Sequence, residues 1–252
     1  MATKQHVLIT GATGGIGYEL AKVFAENGYD LLIVAKDENA LQKTAEELRQ
    51  LFHVKVETIS KDLFKRDSAF ELYDELRSRN IPIDVLVNDS GLGQYGEFTE
   101  SDILREIDII QLNVISFTVV LTMQFLKDMV ASGKGKILNV ASIGDKLPGP
   151  LQSACYRTRT FVHSFTQAIR EEVKVKGVVV TSLLPGATDK DFFNETGIQQ
   201  SKIVQEDKLD DPSKVARDGY NALMSEDDLI ISKLKNKMQV PMSRVTGQTH
   251  PN

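Results

Sequence analysis

The chain has 252 residues, of which 41 % are hydrophobic and 26 % charged, proportions that suit one globular domain with a sizeable core. The net charge of −5 has both signs interspersed, without the basic stripe that is typical of nucleic-acid-binding proteins. The single cysteine excludes an intramolecular disulfide, and four histidines separated in sequence offer no metal cluster.

The start of the chain and its most apolar stretch bear on where the protein resides. The N-terminal residues run directly into the first predicted strand, without the apolar core of a secretory signal. Residues 107–130 are the longest largely apolar stretch, but charged and amide side chains interrupt it before it reaches the ~18 continuous apolar residues of a membrane span. We therefore expect a cytoplasmic protein without a membrane segment.

Predicted strands and helices alternate along the chain. The strands are predicted at residues 7–10, 30–35, 54–59, 83–87, 136–140 and 178–184, with a short edge strand at 229–231. The helices are predicted at residues 18–27, 39–51, 69–76, 107–130, 151–174 and 212–224. This alternation, with continuously apolar strands, predicts an α/β fold with a doubly wound parallel sheet (Rossmann-like) in a single domain spanning residues 1–252. Residues 187–210 are predicted to cover the substrate, and 246–252 to form a disordered tail.

A glycine-rich turn follows the first strand and leads into the first helix. From Thr10 to Gly17 it reads Thr-Gly-Ala-Thr-Gly-Gly-Ile-Gly, a spacing that differs from the commoner Gly-x-Gly-x-x-Gly. Glycines let the backbone approach a pyrophosphate, whose charge is then stabilised by the N–H groups and dipole at the helix N-terminus. The turn therefore predicts a dinucleotide site.

The remaining predicted strands also end in residues that can bind a ligand. In parallel α/β sheets, ligands bind beyond the carboxyl ends of the strands, where the strand order reverses. The residues at these predicted ends are Thr10, Lys36, Asp62, Asn88, Ser142 and the pair Pro185-Gly186.

Taken in order, these motifs resemble the short-chain dehydrogenase/reductase family over roughly residues 5 to 240. The glycine-rich turn fits the family's cofactor motif, and Asn88-Asp89-Ser90-Gly91 is similar to its Asn-Asn-Ala-Gly turn with two substitutions. The segment Pro185-Gly186-Ala187-Thr188 resembles the one that holds the nicotinamide end of the cofactor. The resemblance implies cofactor contacts from Thr10, Gly11, Thr13, Gly15, Ile16, Gly17, Lys36, Asp62, Asn88, Gly91, Pro185, Gly186 and Thr188. It also implies a helix-kinking role for Asn113 and a substrate-orienting role for Ser142.

The end of the second strand bears on the choice of cofactor. A basic side chain there suits the 2′-phosphate of NADP, whereas an acidic one suits the ribose hydroxyl of NAD. Lys36 precedes Asp37, which favours NADP and leaves NAD as the alternative. Two plainer interpretations stay open. In the first, Lys36 is a solvated surface charge and Asp37 caps the next helix. In the second, Asp62, which resembles the family's adenine-side Asp, is another helix cap.

The catalytic centre is where the sequence departs from the family. The family's Tyr-x-x-x-Lys places both side chains on one helix face, where the Lys lowers the pKa of the Tyr so that the phenol can exchange a proton with the substrate. The family's Tyr lies about thirteen residues after its Ser, and here that position is Cys155, followed four residues on by Arg159. The neighbouring Tyr156 is followed at the same spacing by Thr160.

Several interpretations of this departure compete. Cys155 and Arg159 can occupy the two family positions, with a thiol that is shorter than a phenol by about 4 Å and that could ionise beside the guanidinium. Tyr156 can replace the missing Tyr if the helix register shifts, since one residue is a rotation of about 100°. Alternatively, the nucleotide site survives while the chemistry is weak or lost. A covalent role for Cys155 is the least favoured, because no histidine is near it in sequence.

The sequence thus predicts an NAD(P)-dependent oxidoreductase with weakened or altered proton transfer, which reduces a carbonyl or oxidises an alcohol of a small apolar substrate. The alternative is a catalytically inactive dinucleotide-binding or scaffolding protein. Tyr95, Phe192 and Phe193 are predicted to line an apolar or bulky substrate.

The apolar residues of the two longest predicted helices bear on assembly. They lie on more than one side of each helix and predict a homodimer or homotetramer, unless they merely complete the core. The residues concerned are Phe117, Val120, Phe125, Phe161 and Phe165.

Overall fold

Seven parallel strands form one sheet in the computed structural model, which describes residues 4–143, 151, 153–188 and 209–232. The spatial order is β3-β2-β1-β4-β5-β6-β7, and every neighbouring pair is parallel. The strands are β1 (His6–Thr10), β2 (Asp30–Ala35), β3 (Val56–Ser60), β4 (Val85–Asn88), β5 (Gly135–Val140), β6 (Val178–Leu184) and β7 (Leu229–Ile231). The predicted doubly wound parallel sheet is confirmed.

Helices connect the strands and cover both faces of the sheet. They are α1 (Gly15–Glu26), α2 (Glu38–Phe52), α3 (Ser68–Ser78), α4 (Ile103–Ile110), a π-helical segment (Gln111–Leu121), α5 (Thr122–Ser132), α6 (Ser153–Val173), a 3₁₀ turn (Lys174–Lys176) and α7 (Pro212–Met224). The bounds differ from the predicted ones by a few residues. Helix α4 begins before the first residue of the predicted repeat because Asp102 caps it, accepting a hydrogen bond from the backbone N–H of Leu104 at 2.9 Å.

The strands are apolar on both faces because the sheet separates two hydrophobic cores. Leu8 of β1 packs on the side of α3, α5 and α6, whereas its neighbours Val7 and Ile9 pack on the side of α1, α2 and α7. This double burial explains the continuous apolar runs that the sequence shows at the strands.

The strand order reverses between β1 and β4. Strand β1 pairs with β2 on one side and with β4 on the other, and Thr10 lies opposite Asn88 in the register. The connections from these two strands leave in opposite directions, which opens a crevice at their carboxyl ends.

The continuous helix Ile103–Ser132 is long and apolar enough to cross a membrane by length and composition alone. Core helices of water-soluble proteins meet the same criterion, and 56 % of its most apolar window is buried inside the protein. The polar side chains of Asn113, Ser116 and Thr122 on this helix are also fully buried. These features are those of a helix that packs in a protein core.

The apolar residues predicted to form subunit contacts differ in burial. Phe161 is 38 % exposed, and its ring stacks on that of Phe165, which packs against the core. Phe117, Val120 and Phe125 complete the core, as the alternative interpretation held. A different set stays exposed: we call Ile103, Ile107 and Ile110, which are 71 %, 53 % and 44 % exposed on α4, the α4 apolar face.

Parts of the predicted substrate-binding region lie outside the described residues. These are Phe192, Phe193 and most of the 187–210 segment, and the predicted tail at 246–252 lies outside them as well. The two ends of the 187–210 segment meet, because the backbone N–H of Asp210 donates to the carbonyl of Ala187 at 2.8 Å.

Candidate active site

The glycine-rich turn packs too tightly for side chains at two positions. A Cβ at Gly17 would lie 2.3 Å from the carbonyl oxygen of Gly11, and one at Gly11 would lie 3.0 Å from the backbone nitrogen of Ser90. Gly11 and Gly15 also have positive φ angles of 73° and 53°. The turn therefore needs glycine for contact and for conformation.

The N-terminus of α1 is open where the turn ends. Gly14 is its cap and offers no side-chain hydrogen bond, and the first turn of the helix holds no acidic residue. A Cβ at Gly14 would meet nothing within 4 Å, and the flanking Thr13 and Ile16 are half-buried. Free backbone N–H groups beside open space are suited to an anion such as a pyrophosphate. These residues fit a dinucleotide.

Thr10 joins the end of β1 to the turn after β4. Its hydroxyl accepts hydrogen bonds from the backbone N–H groups of Asp89 and Ser90, at 3.1 Å and 3.2 Å, and donates to the carbonyl of Val87 at 3.4 Å. Thr10 is fully buried. Its side chain positions the turn that carries Gly91.

Lys36 and Asp62, both predicted to bind the adenosine end of a cofactor, form an ion pair. The ammonium of Lys36 lies 3.2 Å from Oδ2 of Asp62 and 5.6 Å from the ring centre of Phe64. The Lys36 side chain is 68 % exposed. It can turn towards a ligand at little cost, since exposed ion pairs contribute about 0–1 kcal/mol.

Asp37 and Asp62 have different structural roles. Asp37 caps α2 by accepting from the backbone N–H of Ala40 at 3.0 Å, as the plainer interpretation held. Asp62 accepts from the backbone N–H of Phe64 at 3.3 Å, whereas the cap position of the following helix α3 belongs to Asp67. The interpretation of Asp62 as that helix's cap is therefore wrong.

Asn88 lies beneath the crevice rather than at its surface. Its amide donates to Oδ1 of Asn139 at 2.8 Å and to the hydroxyl of Thr122 at 3.0 Å, and Asn139 in turn donates to Thr166 at 2.9 Å. All four residues are buried and link β4, β5, α5 and α6. This network supports the strand ends from below.

Asn113 connects three parts of the site. Its side-chain oxygen accepts from the backbone N–H of Leu92 at 2.9 Å, and its amide donates to the carbonyl of Leu92 at 2.9 Å and to the hydroxyl of Thr158 at 3.0 Å. Its own carbonyl accepts from the Thr118 hydroxyl at 2.7 Å, five residues along the chain. This bond lies within the π-helical segment, so the helix is irregular at the position where the resemblance implies a kink.

Arg159 reaches from α6 to the carboxyl ends of β4 and β5. Its Nη1 donates to the carbonyl of Val140 at 2.8 Å, two residues before Ser142. Its Nη2 lies against Gly91, where a Cβ would be only 1.8 Å away. A positive charge is thus held at the carboxyl ends of β4 and β5. Ser142 follows Val140 by two residues along the chain and is half-buried.

Cys155 lies one helical turn before Arg159 and is half-buried. Burial raises the pKa of its thiol above the ordinary value, Arg159 lowers that pKa, and Glu106 of α4 raises it. The raised pKa means that the thiol is protonated at neutral pH, so the expectation that Arg159 would ionise it is wrong. Sequence reasoning missed Glu106, because its proximity to Cys155 depends on the packing of α4 against α6 and no local sequence pattern signals it.

Tyr156 is one residue further along α6 and is half-buried, and burial raises its pKa. Its carbonyl accepts a hydrogen bond from the hydroxyl of Thr160 at 3.0 Å. The helix register therefore brings Arg159, rather than Thr160, to Gly91. Tyr156 as a replacement for the family's Tyr stays a prediction that would need a different register.

The segment after β6 lies beside the one after β5. The backbone N–H of Ile143 donates to the carbonyl of Pro185 at 3.0 Å, and the hydroxyl of Thr188 donates to the carbonyl of Gly186 at 2.7 Å. Pro185, Gly186 and Thr188 are thereby held next to the strand end that carries Ser142.

The loop after β4 carries Tyr95, which among the residues predicted to line the substrate is the one that the structure describes. Tyr95 is half-buried, and the backbone N–H of its neighbour Gly96 donates to the carbonyl of Leu151 at 2.8 Å. This bond holds the loop near the start of α6.

Comparisons with known proteins find a family model and a relative that match most of the chain. The family model described as short chain dehydrogenase matches residues 5–201. The chain is 32 % identical to the oxidoreductase YmfI of Bacillus subtilis over 225 residues, which cover 87 % of this chain and 90 % of that protein.

A longer relative and a solved structure extend the comparison. The very-long-chain 3-oxoacyl-CoA reductase of Rattus norvegicus is 32 % identical over 214 residues, which cover 82 % of this chain but only 64 % of that relative. A short-chain dehydrogenase from Sphingobium yanoikuyae, solved in complex with NADPH, superposes with a TM-score of 0.85 at 26 % identity, covering 98 % of this chain and 96 % of that one. The chain therefore belongs to the short-chain dehydrogenase family of oxidoreductases.

Proposed function

We propose that this protein is an NADP-dependent oxidoreductase that reduces a carbonyl, or oxidises the corresponding alcohol, of a small apolar substrate with altered proton transfer. The observation that carries the proposal is the anchoring of Arg159. Its guanidinium donates to the carbonyl of Val140, two residues before Ser142, and packs on Gly91, so a cation stays at the carboxyl ends of the strands although the family's Tyr-x-x-x-Lys is absent.

The residues present fit a nicotinamide dinucleotide. The turn from Gly11 to Gly17 would hold the pyrophosphate, and Lys36 would exchange its exposed partner Asp62 for a 2′-phosphate. The preference for NADP is further supported by the similar dehydrogenase from Sphingobium yanoikuyae, which was solved with NADPH. NAD is the alternative if Lys36 stays with Asp62.

Three side chains are proposed to act on the substrate oxygen during carbonyl reduction. NADPH held in this crevice would supply a hydride to the carbonyl carbon. The Ser142 hydroxyl donates a hydrogen bond to the substrate oxygen, and the guanidinium of Arg159 stabilises negative charge there. The proton comes from the thiol of Cys155, which burial keeps protonated at neutral pH.

The short reach of the thiol explains why proton transfer is altered. Because it ends about 4 Å short of a phenol, the substrate oxygen must approach α6 more closely, or one water must bridge the gap. General acid catalysis contributes ~10²–10⁴-fold, so an imperfect donor slows the reaction without abolishing it.

The substrate is proposed to be a ketone or aldehyde with apolar neighbours. Tyr95 on the loop after β4 supports an apolar wall. The similar reductase from Rattus norvegicus is named for a 3-oxoacyl substrate, which is also a ketone.

The second candidate is a catalytically inactive dinucleotide-binding or scaffolding protein. The replacement of the family's Tyr and Lys by Cys155 and Arg159 favours it. In that case the glycine turn and Lys36 would still bind the cofactor, and no carbonyl would be reduced.

We further propose that the protein is cytoplasmic and forms a homodimer or homotetramer. The α4 apolar face supports self-association, because three isoleucines on one side of a helix are unusual on the surface of a monomer.

The first experiment follows NADPH oxidation with a broad panel of ketones and aldehydes. The native chain is compared with a Cys155→Tyr, Arg159→Lys double variant. Turnover by the native chain supports the oxidoreductase proposal. Turnover by the double variant alone would instead support the inactive binding protein, since the pocket would then be intact and only the proton donor missing.

A further inference from the structure

A buried carboxylate oxygen lies beside the candidate site and has no role in the chemistry described above. Oε2 of Glu106 on α4 is shielded from solvent and accepts no hydrogen bond within the part of the chain that the structure describes. Burying a carboxylate oxygen without a donor costs free energy, so such a group calls for a functional reason.

Glu106 faces α6 at the height of Cys155. Helices α4 and α6 pack side by side, and a hydrogen bond joins Thr158 of α6 to Asn113 of the π-helical segment that continues α4. Glu106 lies seven residues before Asn113 on this continuous helix, and Cys155 lies three residues, or about one turn, before Thr158 on α6. The charge of the Glu106 carboxylate raises the pKa of the Cys155 thiol, which requires the two side chains to lie close together across this helix pair.

Two opposite charges act on the thiol of Cys155. Among the described residues, the charged groups that act on it are Arg159 from its own helix and Glu106 from α4, and Tyr156 is the neighbouring titratable group. The guanidinium favours the thiolate, whereas the carboxylate favours the thiol. Whether the sulfur is a thiol or a thiolate depends on this balance together with burial.

We propose that Glu106 is a positioning residue of this site, whose carboxylate opposes the guanidinium of Arg159 and holds the proton on the thiol of Cys155. The inference rests on the proposed function, in which that proton passes to the substrate oxygen. During reduction the S–H bond breaks, the O–H bond of the product alcohol forms, and the thiolate regains a proton from water. Without Glu106, a larger share of the sulfur is thiolate and cannot supply the proton.

The test uses the fact that Cys155 is the only cysteine of the chain. The rate of alkylation by iodoacetamide, measured against pH, therefore reports on this thiol alone. Glu106→Gln is expected to move the midpoint of the profile to lower pH and to speed alkylation at neutral pH by roughly threefold or more. The plateau rate at high pH reports access to the sulfur and separates that effect from ionisation.

Two further variants sharpen the comparison. Asp108→Asn removes a carboxylate from the same helix on the opposite side, about 200° away, and should leave the midpoint unchanged. Glu106→Leu removes the carboxylate without leaving a buried amide and should shift the midpoint in the same direction as Glu106→Gln. Circular dichroism shows that each variant is folded.

The outcomes separate this inference from the proposed function. A midpoint that stays in place or rises in both folded Glu106 variants overturns the inference. If carbonyl reduction is observed, the upper pH limit of kcat in Glu106→Gln should fall together with the thiol midpoint. If the midpoint falls as stated but the native chain reduces no carbonyl, the proposed function fails, and Glu106 stands as the residue that keeps the thiol protonated.

Discussion

The guanidinium of Arg159 occupies the space that a side chain at Gly91 would need. A Cβ at Gly91 would lie 1.8 Å from Nη2, while Nη1 of the same group donates to the carbonyl of Val140. Gly91 is therefore small enough to leave room for the side chain of Arg159.

This match predicts the effect of Gly91→Ala. The added methyl should displace Arg159 and break its charged hydrogen bond, which lowers the free energy of unfolding by about 1.5–3 kcal/mol. Urea denaturation measures the change. In an Arg159→Ala background, Gly91→Ala should cost little, and an equal loss in both backgrounds would show that the two residues do not interact.

The ion pair between Lys36 and Asp62 predicts how the cofactor is chosen. Lys36→Ala should weaken NADPH binding about tenfold, the effect of losing one charge-assisted contact to phosphate, and should leave NADH binding nearly unchanged. Asp62→Asn should strengthen NADPH binding, because the lysine then has no competing carboxylate. Fluorescence titration of the reduced cofactors measures both. Equal weakening of NADH and NADPH in Lys36→Ala would argue against a 2′-phosphate contact.

The raised pKa of Cys155 predicts a dependence of stability on pH. The folded state holds the thiol proton more tightly than the unfolded state does. Its contribution to stability is therefore complete below the unfolded pKa of about 8.5 and is lost as the pH rises through the higher folded value. The free energy of unfolding should therefore fall as the pH rises above about 8.5, and more steeply in the native chain than in Cys155→Ser. Parallel curves would contradict the raised pKa.

The buried amide of Asn113 predicts a large loss of stability on truncation. Asn113→Ala leaves both backbone polar groups of Leu92 without their partner, at a cost of about 2–4 kcal/mol. Asn27→Ala is the matched control, because its amide donates to the carbonyl of Val23 at the exposed end of α1 and its loss should cost under about 1 kcal/mol. Thermal unfolding compares the two, and similar losses would argue against a structural role for Asn113.

The α4 apolar face predicts the oligomeric state. Ile107→Lys should convert an assembly into monomers, because a charge would be buried in the contact. Light scattering during size-exclusion chromatography measures the mass. Leu51→Lys, on the exposed side of α2, should change nothing. A native chain that elutes as a monomer would contradict self-association through this face.

The sequence by itself determined the parallel sheet, the alternation of its elements and the glycine turn. These are properties of short stretches: apolar residues repeat with the period of a strand or helix, and Gly11 and Gly17 are set by a turn formed within eight residues. The departure at Cys155 and Arg159 was also visible, because both residues follow Ser142 at the family's spacing. Helix bounds such as the start of α4 were less accurate, since a single cap at Asp102 extends the helix beyond its apolar repeat.

Only the tertiary structure decided which side chains meet across elements. It paired Lys36 with Asp62, placed Arg159 against Gly91, and brought Glu106 near the thiol whose proton it helps to retain. Such contacts depend on strand register, on the alignment of α4 with α6 and on burial, none of which a local pattern encodes. The protonation state of Cys155 is the clearest case: the neighbouring arginine argued for a thiolate, and burial together with a carboxylate from another helix reversed that expectation.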